Sequence, residues 1–485
     1  MWIEPLFEGL RGRIMPTHSP RVIRAVSTWV VALGATGLFV STSSAQERSE
    51  SNPSPEHVSH SGEHHRRVEA TPPSDESIAA LDAQALENHP GLRTYASRAE
   101  EAALAAEVEQ GRWPEPRVEY MAEFSTPWAA HQTTDHMVTL MQTIPWPATR
   151  RASAAPARAM EQAARAEERA AAHQILRDIR RELVAIARAR EMLLHVDEEV
   201  GLVADVRRII EATLPVGRAE HSDLYRLQLA EAGLEDMRRD EEARLRAAKG
   251  RLANLLGVST DALNLPETTA ILDWTVDLPS REELAAMIEA NSPVLARFEA
   301  ERAQARAQEE LVERQLRPPP QIMVGYGNMA PMYSHADPRH DVFQVGFSIA
   351  LPIWGGRYGT EARRWQAGAS AAEEARAAAL RDLLAQLESA RSRATQADER
   401  VEAYREELMP MASLVSAEVL TGVEVGQRSV TDYLGAVREE WDLHGRYLEL
   451  KAERANQLLE LQYLSAGQLA AESPWAYPAS LRGQR

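Results

Sequence analysis

The chain has 485 residues, 44% apolar and 6% aromatic, enough to bury a core. A formal net charge of -18 argues against a general affinity for nucleic acid, and the absence of cysteine excludes disulfides, thiolate metal sites and a lipid anchor on cysteine. Ala, Glu, Arg, Gln and Leu dominate long stretches, a bias toward extended helices rather than compact sheets.

At the N-terminus Arg21 and Arg24 precede the apolar run Trp29 to Val40, and Ser43-Ser44-Ala45 is a small-residue cleavage site. These are the three parts of a secretory signal, so residues 1–45 are predicted to be a signal peptide cleaved after Ala45. Met15 is the start that gives it an ordinary length. Residues 46–73 are rich in Ser, Pro, Glu and His with almost no large apolar side chain, and cannot offset the entropy of ordering; they read as a disordered arm. His57, His60, His64 and His65 lie in this arm. Neutral imidazoles so close together can bind a soft or borderline cation, and the alternative is a polar linker.

From Ser74 a helical pattern runs to about Gly111, where Pro114 and Pro116 stop it. The periodicity then changes to that of a strand. Val118, Tyr120, Ala122 and Phe124 alternate with Glu119, Met121 and Glu123, and beyond Pro127-Trp128 Val138 and Leu140 alternate with Thr139 and Met141. This predicts a hairpin whose strands have the length of tilted membrane strands. From Pro147 to Leu214 only Pro156 and Gly201 interrupt the helical pattern, giving a helix of about 100 Å at about 1.5 Å rise per residue. A turn at Pro215-Val216-Gly217 leads to a return helix from about Glu220 to Leu256. On it Leu224, Leu245 and Leu252 share one heptad row and Leu227, Leu234 and Leu255 another, which is interrupted coiled-coil spacing.

The plan then repeats at an offset near 200 residues. His89-Pro90 aligns with Ser292-Pro293, Pro116 with Pro320, Pro145 with Pro352, Gly217 with Gly426, Asp223 with Asp432, and Leu255 with Leu464; Gly201 falls opposite Pro410. The second half has its own predicted hairpin, Gln321 to Asn328 and Asp341 to Leu351. Such a period indicates a duplicated unit rather than a solenoid. The predicted organisation is a first repeat over 74–270, a second over 271–470 and a tail over 471–485.

The two turn segments are Val216-Gly217-x5-Asp223-Leu224 and Val425-Gly426-x5-Asp432-Tyr433, and the second strand-to-helix junction reads Leu351-Pro352-Ile353-Trp354-Gly355-Gly356-Arg357. In this order, twice over and behind a signal, the chain resembles the TolC family of outer-membrane factors over about residues 75–470, leaning toward the branch that serves heavy-metal cation efflux. The resemblance implies a mainly α fold with a small membrane β part. It implies a homotrimer whose 12-stranded β-barrel continues into a long periplasmic α-helical barrel in the outer membrane. It further implies the role of a passive conduit, without cofactor, fed by a periplasmic adaptor and an inner-membrane pump of RND type. Physics reaches the same need for oligomerisation: a few short strands cannot close a barrel, and an open edge is not tolerated in lipid. A duct for drugs or secreted polypeptides is the alternative cargo reading, and a periplasmic coiled-coil adaptor without a pore the alternative class.

By the same resemblance the helix-turn-helix tips close the periplasmic mouth, with Gly217, Ser222 and Asp223 on the first tip and Gly426, Arg428, Thr431 and Asp432 on the second. The residues themselves suggest that the two glycines permit sharp turns with positive φ and that Asp223 and Asp432 cap or start the return helices, with Ser222 and Thr431 before them also fit to cap. The resemblance adds a single ring of three Asp432 carboxylates, Gly435 standing where some relatives carry a second acid, and a link from Arg428 to acceptors such as Asp223. Trp146 and Trp354 sit at matching strand-to-helix junctions, where indole favours the membrane interface; the alternative is a Trp packed between helices. No phosphate-binding loop, His-Glu-x-x-His or Gly-x-Ser-x-Gly motif occurs, so enzyme chemistry is not expected.

Overall fold

In the computed structural model, residues 75–124, 134–216, 219–263, 265, 269–329, 338–353, 355–469 and 475–481 are described. The signal segment, the arm with His57, His60, His64 and His65, and also Gly217 and Trp354, lie outside the described residues. Residues 68–485 form one unit.

The element order doubles as the sequence pattern predicts. The first half runs α1 (Asp75–Asn88), α2 (Pro90–Gly111), β1 (Arg117–Phe124), β2 (Thr134–Thr143), α3 (Pro147–Ser153), α4 (Ala155–Thr213) and α5 (His221–Leu256). The second runs α6 (Arg281–Asn291), α7 (Pro293–Gln315), β3 (Pro320–Met329), β4 (His340–Ile349), α8 (Gly356–Ala403), α9 (Met409–Glu424) and α10 (Val430–Leu464). Proline sets several of the helix starts. Pro90, Pro147, Pro156 and Pro293 each stand in the first turn of a helix, where the missing N–H costs nothing and the fixed φ is already helical. Pro156 is thus why the run from Pro147 divides at Ala154 into α3 and α4.

Gly201 and Pro410, aligned as breakers, behave differently. Helix α4 passes through Gly201 without interruption, because glycine keeps its N–H. Before Pro410 the chain forms a π-helical turn over Tyr404–Leu408 that separates α8 from α9. Proline can neither donate to the carbonyl four residues back nor tolerate it against its ring, and a widened turn relieves both. The last predicted strand also ends earlier than expected, at Ile349 rather than Leu351.

The strands form one antiparallel sheet in the order β1-β2-β3-β4. Its central pairing, β2 with β3, joins the two halves of the chain, with Val138 opposite Tyr326 and Leu140 opposite Val324.

Two apolar clusters hold the helices. The larger gathers α1, the middle of α4, the end of α5, α6, α8 and α10 around the connector between the halves, in which Ile271 and Leu272 are fully buried. The smaller lies between the hairpin α4/α5 and the hairpin α9/α10, and includes Val196, Val203, Leu227, Tyr433 and Trp441. Of the predicted heptad rows, Leu227, Leu234 and Leu252 are buried, while Leu224, Leu245 and Leu255 are only partly so. The buried row continues through Glu241 and Ala248. Glu241 is 4% exposed and accepts from Arg188 at 3.2 Å and from Arg244. A paired charge in an apolar seam fixes register better than another leucine would, since any slip strands the carboxylate.

Candidate functional site

The sheet has two chemically distinct faces. On one, register aligns Tyr120, Val138, Tyr326 and Phe343 in a rung across all strands, and Val118, Leu140, Val324 and Val345 in the next. These side chains are exposed, Phe343 and Val345 at 78%. The opposite face carries Glu119, Thr139, Gly325 and Gln344 in one rung, with Met121, Met137, Gly327 and Val342 beside it. Exposed apolar rungs are not a stable surface in water, and β1 and β4 leave the sheet with open edges. An apolar outer face backed by a polar inner one is the pattern of a barrel wall facing lipid.

Aromatic and basic residues gather where the strands meet the helices. Trp146 caps α3, is 45% exposed, and donates its Nε1–H to the Pro318 carbonyl at 3.0 Å, tying the exit of β2 to the entry of β3. Trp113 stands at the same level with the Arg150 guanidinium 4.6 Å above its ring. Sequence reasoning passed over Trp113, although Trp113-Pro114 and Trp146-Pro147 are the same dipeptide at the entry and exit of one hairpin.

The tips are built from capped turns. At the first, Glu220 is the N-cap of α5 and Asp223 completes a capping box, its Oδ2 accepting from the Glu220 N–H at 3.3 Å. At the second, Ser429 caps α10: its Oγ accepts from the Asp432 N–H at 3.1 Å, while Asp432 Oδ2 accepts from the Ser429 N–H at 3.0 Å. Ser222 and Thr431 are therefore not the caps; each lies inside the first turn, because the reciprocal bonding needs the acid three positions after the cap. Ser222 donates to Glu220 Oε2 at 3.0 Å, and Asp223 Oδ1 accepts from Arg226 at 3.3 Å. The bonds from Ser429 hold the Asp432 carboxyl below the usual carboxylate range, helped by the nearby Arg428 charge. Among the described residues of one protomer no ion pair joins Arg428 to Asp223.

Gly426 has φ +75, and the turn is closed by the Gly422 carbonyl, which accepts from the N–H groups of Gln427 at 2.8 Å and Arg428 at 3.0 Å. Since open space surrounds Gly426, Gly426→Ala is expected to cost only the left-handed backbone strain, about 1–2 kcal/mol. Thermal melting of the variant measures this; an unchanged melting temperature would show that the turn relaxes to negative φ.

Behind the tips lies a layer of titratable groups between α4 and α10. The His195 ring stacks on His444 with centroids 3.8 Å apart and on Trp441 at 5.0 Å. Burial lowers His195 to about 3 and His444 to about 4. One turn along α4, Glu199 is pushed up to about 7 by burial and by the charges of Glu440 and Glu198. Among the described residues no group of three or more His, Asp or Glu is placed to hold a metal ion, and no helix is long and apolar enough to cross a membrane.

The fold as a whole is similar to that of solved outer-membrane channels. Residues 284–467 match the model of the family named Outer membrane efflux protein. The matched region lies in the second half of the chain, from within α6 to just past the end of α10. The fold is similar to that of the outer membrane protein VceC from Vibrio cholerae, with a TM-score of 0.65 and 17% identity, covering 80% of this chain and 96% of that one. It is similar to the MtrE outer membrane channel of Neisseria gonorrhoeae in its open state, at 0.59 and 18%, covering 80% and 88%. It is also similar to CusC, whose structures concern folding and transmembrane channel formation, at 0.64 and 15%, covering 83% and 98%. No curated protein sequence matches this chain.

Proposed function

We propose that this chain is one protomer of a trimeric outer-membrane efflux channel, a passive conduit that takes its cargo from an inner-membrane pump, through a periplasmic adaptor, to the exterior. The observation that carries the reading is the open sheet with one exposed apolar face and one polar face, continuous with helices far longer than a globular core needs. Each protomer supplies strands β1 to β4, and three copies close twelve strands so that β1 of one pairs with β4 of the next, removing both edges from lipid. Trp146 and Trp354 then mark the periplasmic rim of the barrel. Heavy-metal cations are the favoured cargo, with the histidines of the arm as a capture element.

The mouth is closed by the tips. Arg428 is held by acceptors such as Asp223 on the adjoining tip of a neighbouring protomer, and the three Asp432 carboxylates form the single ring that prefers cations. Each link is exposed and worth about 0–1 kcal/mol, but three symmetric copies shift the open-to-closed balance about tenfold. Modest links suit a gate that an adaptor must open.

The purified protein in planar bilayers is expected to give discrete conductance steps and, after crosslinking, a mass of three protomers. Asp223→Ala combined with Arg428→Ala raises the open fraction, and Asp432→Ala lowers cation preference. A protein that never conducts, or an assembly that stops at two protomers, defeats the channel reading. A double variant no more open than wild type removes the latch alone, and an unchanged cation preference in Asp432→Ala removes the ring alone.

A further inference from the structure

Five of the chain's 14 methionines lie on the strands, at Met121, Met137, Met141, Met323 and Met329. All five fall on the polar face. A methionine chosen for its apolar character belongs on the opposite face, where the rungs are Val, Leu, Tyr and Phe. Facing Glu119, Thr139, Gln321 and Gln344 instead, these side chains present their sulfur to the solvent side of the wall.

Register sorts four of them into two pairs. Met121 lies directly opposite Met137, and Met141 directly opposite Met323. Residues so opposed have Cβ atoms about 5 Å apart, so two flexible thioethers reach a single ion. Beside each pair the next strand supplies a glycine, Gly327 next to Met137 and Gly346 next to Met323. A Cβ at Gly346 would stand 2.7 Å from the Met323 sulfur, and one at Gly327 would stand 3.3 Å from Met137 Cε. Met137 and Met323 thus lie over these glycines, on the side away from their partner methionines, and each must swing back to share an ion with its partner, which the unbranched thioether chain allows. The two pairs occupy levels separated by one rung, which carries the Glu119 carboxylate. Arg117, opposite Met141, is the charge that opposes a cation at the lower level.

We infer that the two methionine pairs are binding sites for a soft monovalent cation of the Ag(I) or Cu(I) class. Neutral thioethers select such ions over zinc, which takes thiolate, imidazole or carboxylate, and over magnesium or calcium, which take oxygen. Binding releases no proton, because a thioether has none to lose. Two successive shallow sites on one wall let an ion enter and leave, as conduction requires. That the wall faces a lumen rests on the channel reading; the pairing itself rests on strand register.

The test titrates the mature protein in detergent with silver nitrate. Wild type is expected to bind two more equivalents per protomer than Met121→Leu/Met137→Leu/Met141→Leu/Met323→Leu, and each pair variant to lose one. Leucine is close to methionine in volume, so the sheet is preserved, which circular dichroism and oligomer mass check. X-ray absorption at the silver edge of wild type, which needs no variant, should show sulfur neighbours. Silver surrounded only by nitrogen and oxygen, or a quadruple variant binding as much silver as wild type, overturns the inference. Conductance recorded on the same preparation separates the two readings: conduction with unchanged silver stoichiometry removes the sites alone, and silver binding without conduction removes the channel alone.

Discussion

Arg180→Met is expected to destabilise the helical body by about 3–5 kcal/mol, the scale for removing one partner of a buried ion pair. Arg180 is fully buried, and its Nη2 donates to Asp82 Oδ2 at 2.9 Å and to the Ala476 carbonyl at 3.1 Å. Its guanidinium also lies 4.5 Å from the Tyr477 ring. One side chain on α4 therefore clamps α1 on one side and the C-terminal segment on the other. Burial raises the Asp82 carboxyl and Arg180 pulls it back down. Without the guanidinium, Asp82 is left charged and unpaired or must take up a proton, and either costs free energy. Adding Asp82→Leu should recover most of the loss, because an apolar pair of similar volume has no charge to strand. Thermal melting of the helical circular dichroism reads both. An Arg180→Met protein that melts with wild type would show that the pair contributes nothing, and a double variant no better than the single would place the loss in the contacts to Ala476 and Tyr477.

Acid is expected to loosen the seam behind the tips through His195 and His444. Both have folded values below the ordinary histidine value of 6.5, His195 near 3 and His444 near 4, so the unfolded chain takes up their protons first. Their contribution is complete above about pH 6.5 and is lost as pH falls toward 4. At pH 5 the loss is about 2 kcal/mol for each. Glu199 works in the opposite sense. Its folded value near 7 lies above the ordinary 4.5, so its contribution is complete below about pH 4.5 and is lost as pH rises through 7. The other charges acting on the layer are Glu198 from α4 and Glu440 and Lys451 from α10. Between pH 8 and pH 5 wild type should therefore lose stability only modestly, the two histidines outweighing one glutamate. Glu199→Gln should steepen the acid loss to about 4 kcal/mol, and His195→Leu with His444→Leu should reverse its sign. Melting temperatures of the three proteins at pH 8 and pH 5 decide: parallel profiles would show that the layer does not titrate in this range.

Much of this protein was legible one residue at a time. Alternation along residues 117–124, 134–143, 320–329 and 340–349 sets which side chains share a face, because successive strand residues point to opposite sides whatever the partner. Proline sets several of the helix starts, and glycine at 426 sets the left-handed turn, since both act through their own backbone. The offset between the halves likewise determined the order of elements. What only the tertiary structure decided depends on residues brought together from afar. Arg180 and Asp82 are 98 positions apart, and nothing in either neighbourhood marks them as partners. Glu241 reads as a solvated acid until Arg188 of the neighbouring helix is placed against it. Trp475 and Tyr477, in the segment read as a tail, are buried, Tyr477 through its contacts with Arg180 and His173. The methionine pairs are of the same kind: periodicity puts each methionine on the polar face, but only the register of β1 on β2 and of β2 on β3 sets them opposite one another. Local geometry is written in the chain because it follows from φ, ψ and the Cβ direction of each residue. Partnership is not, because it is settled by which surfaces exclude water together once the helices and strands are packed.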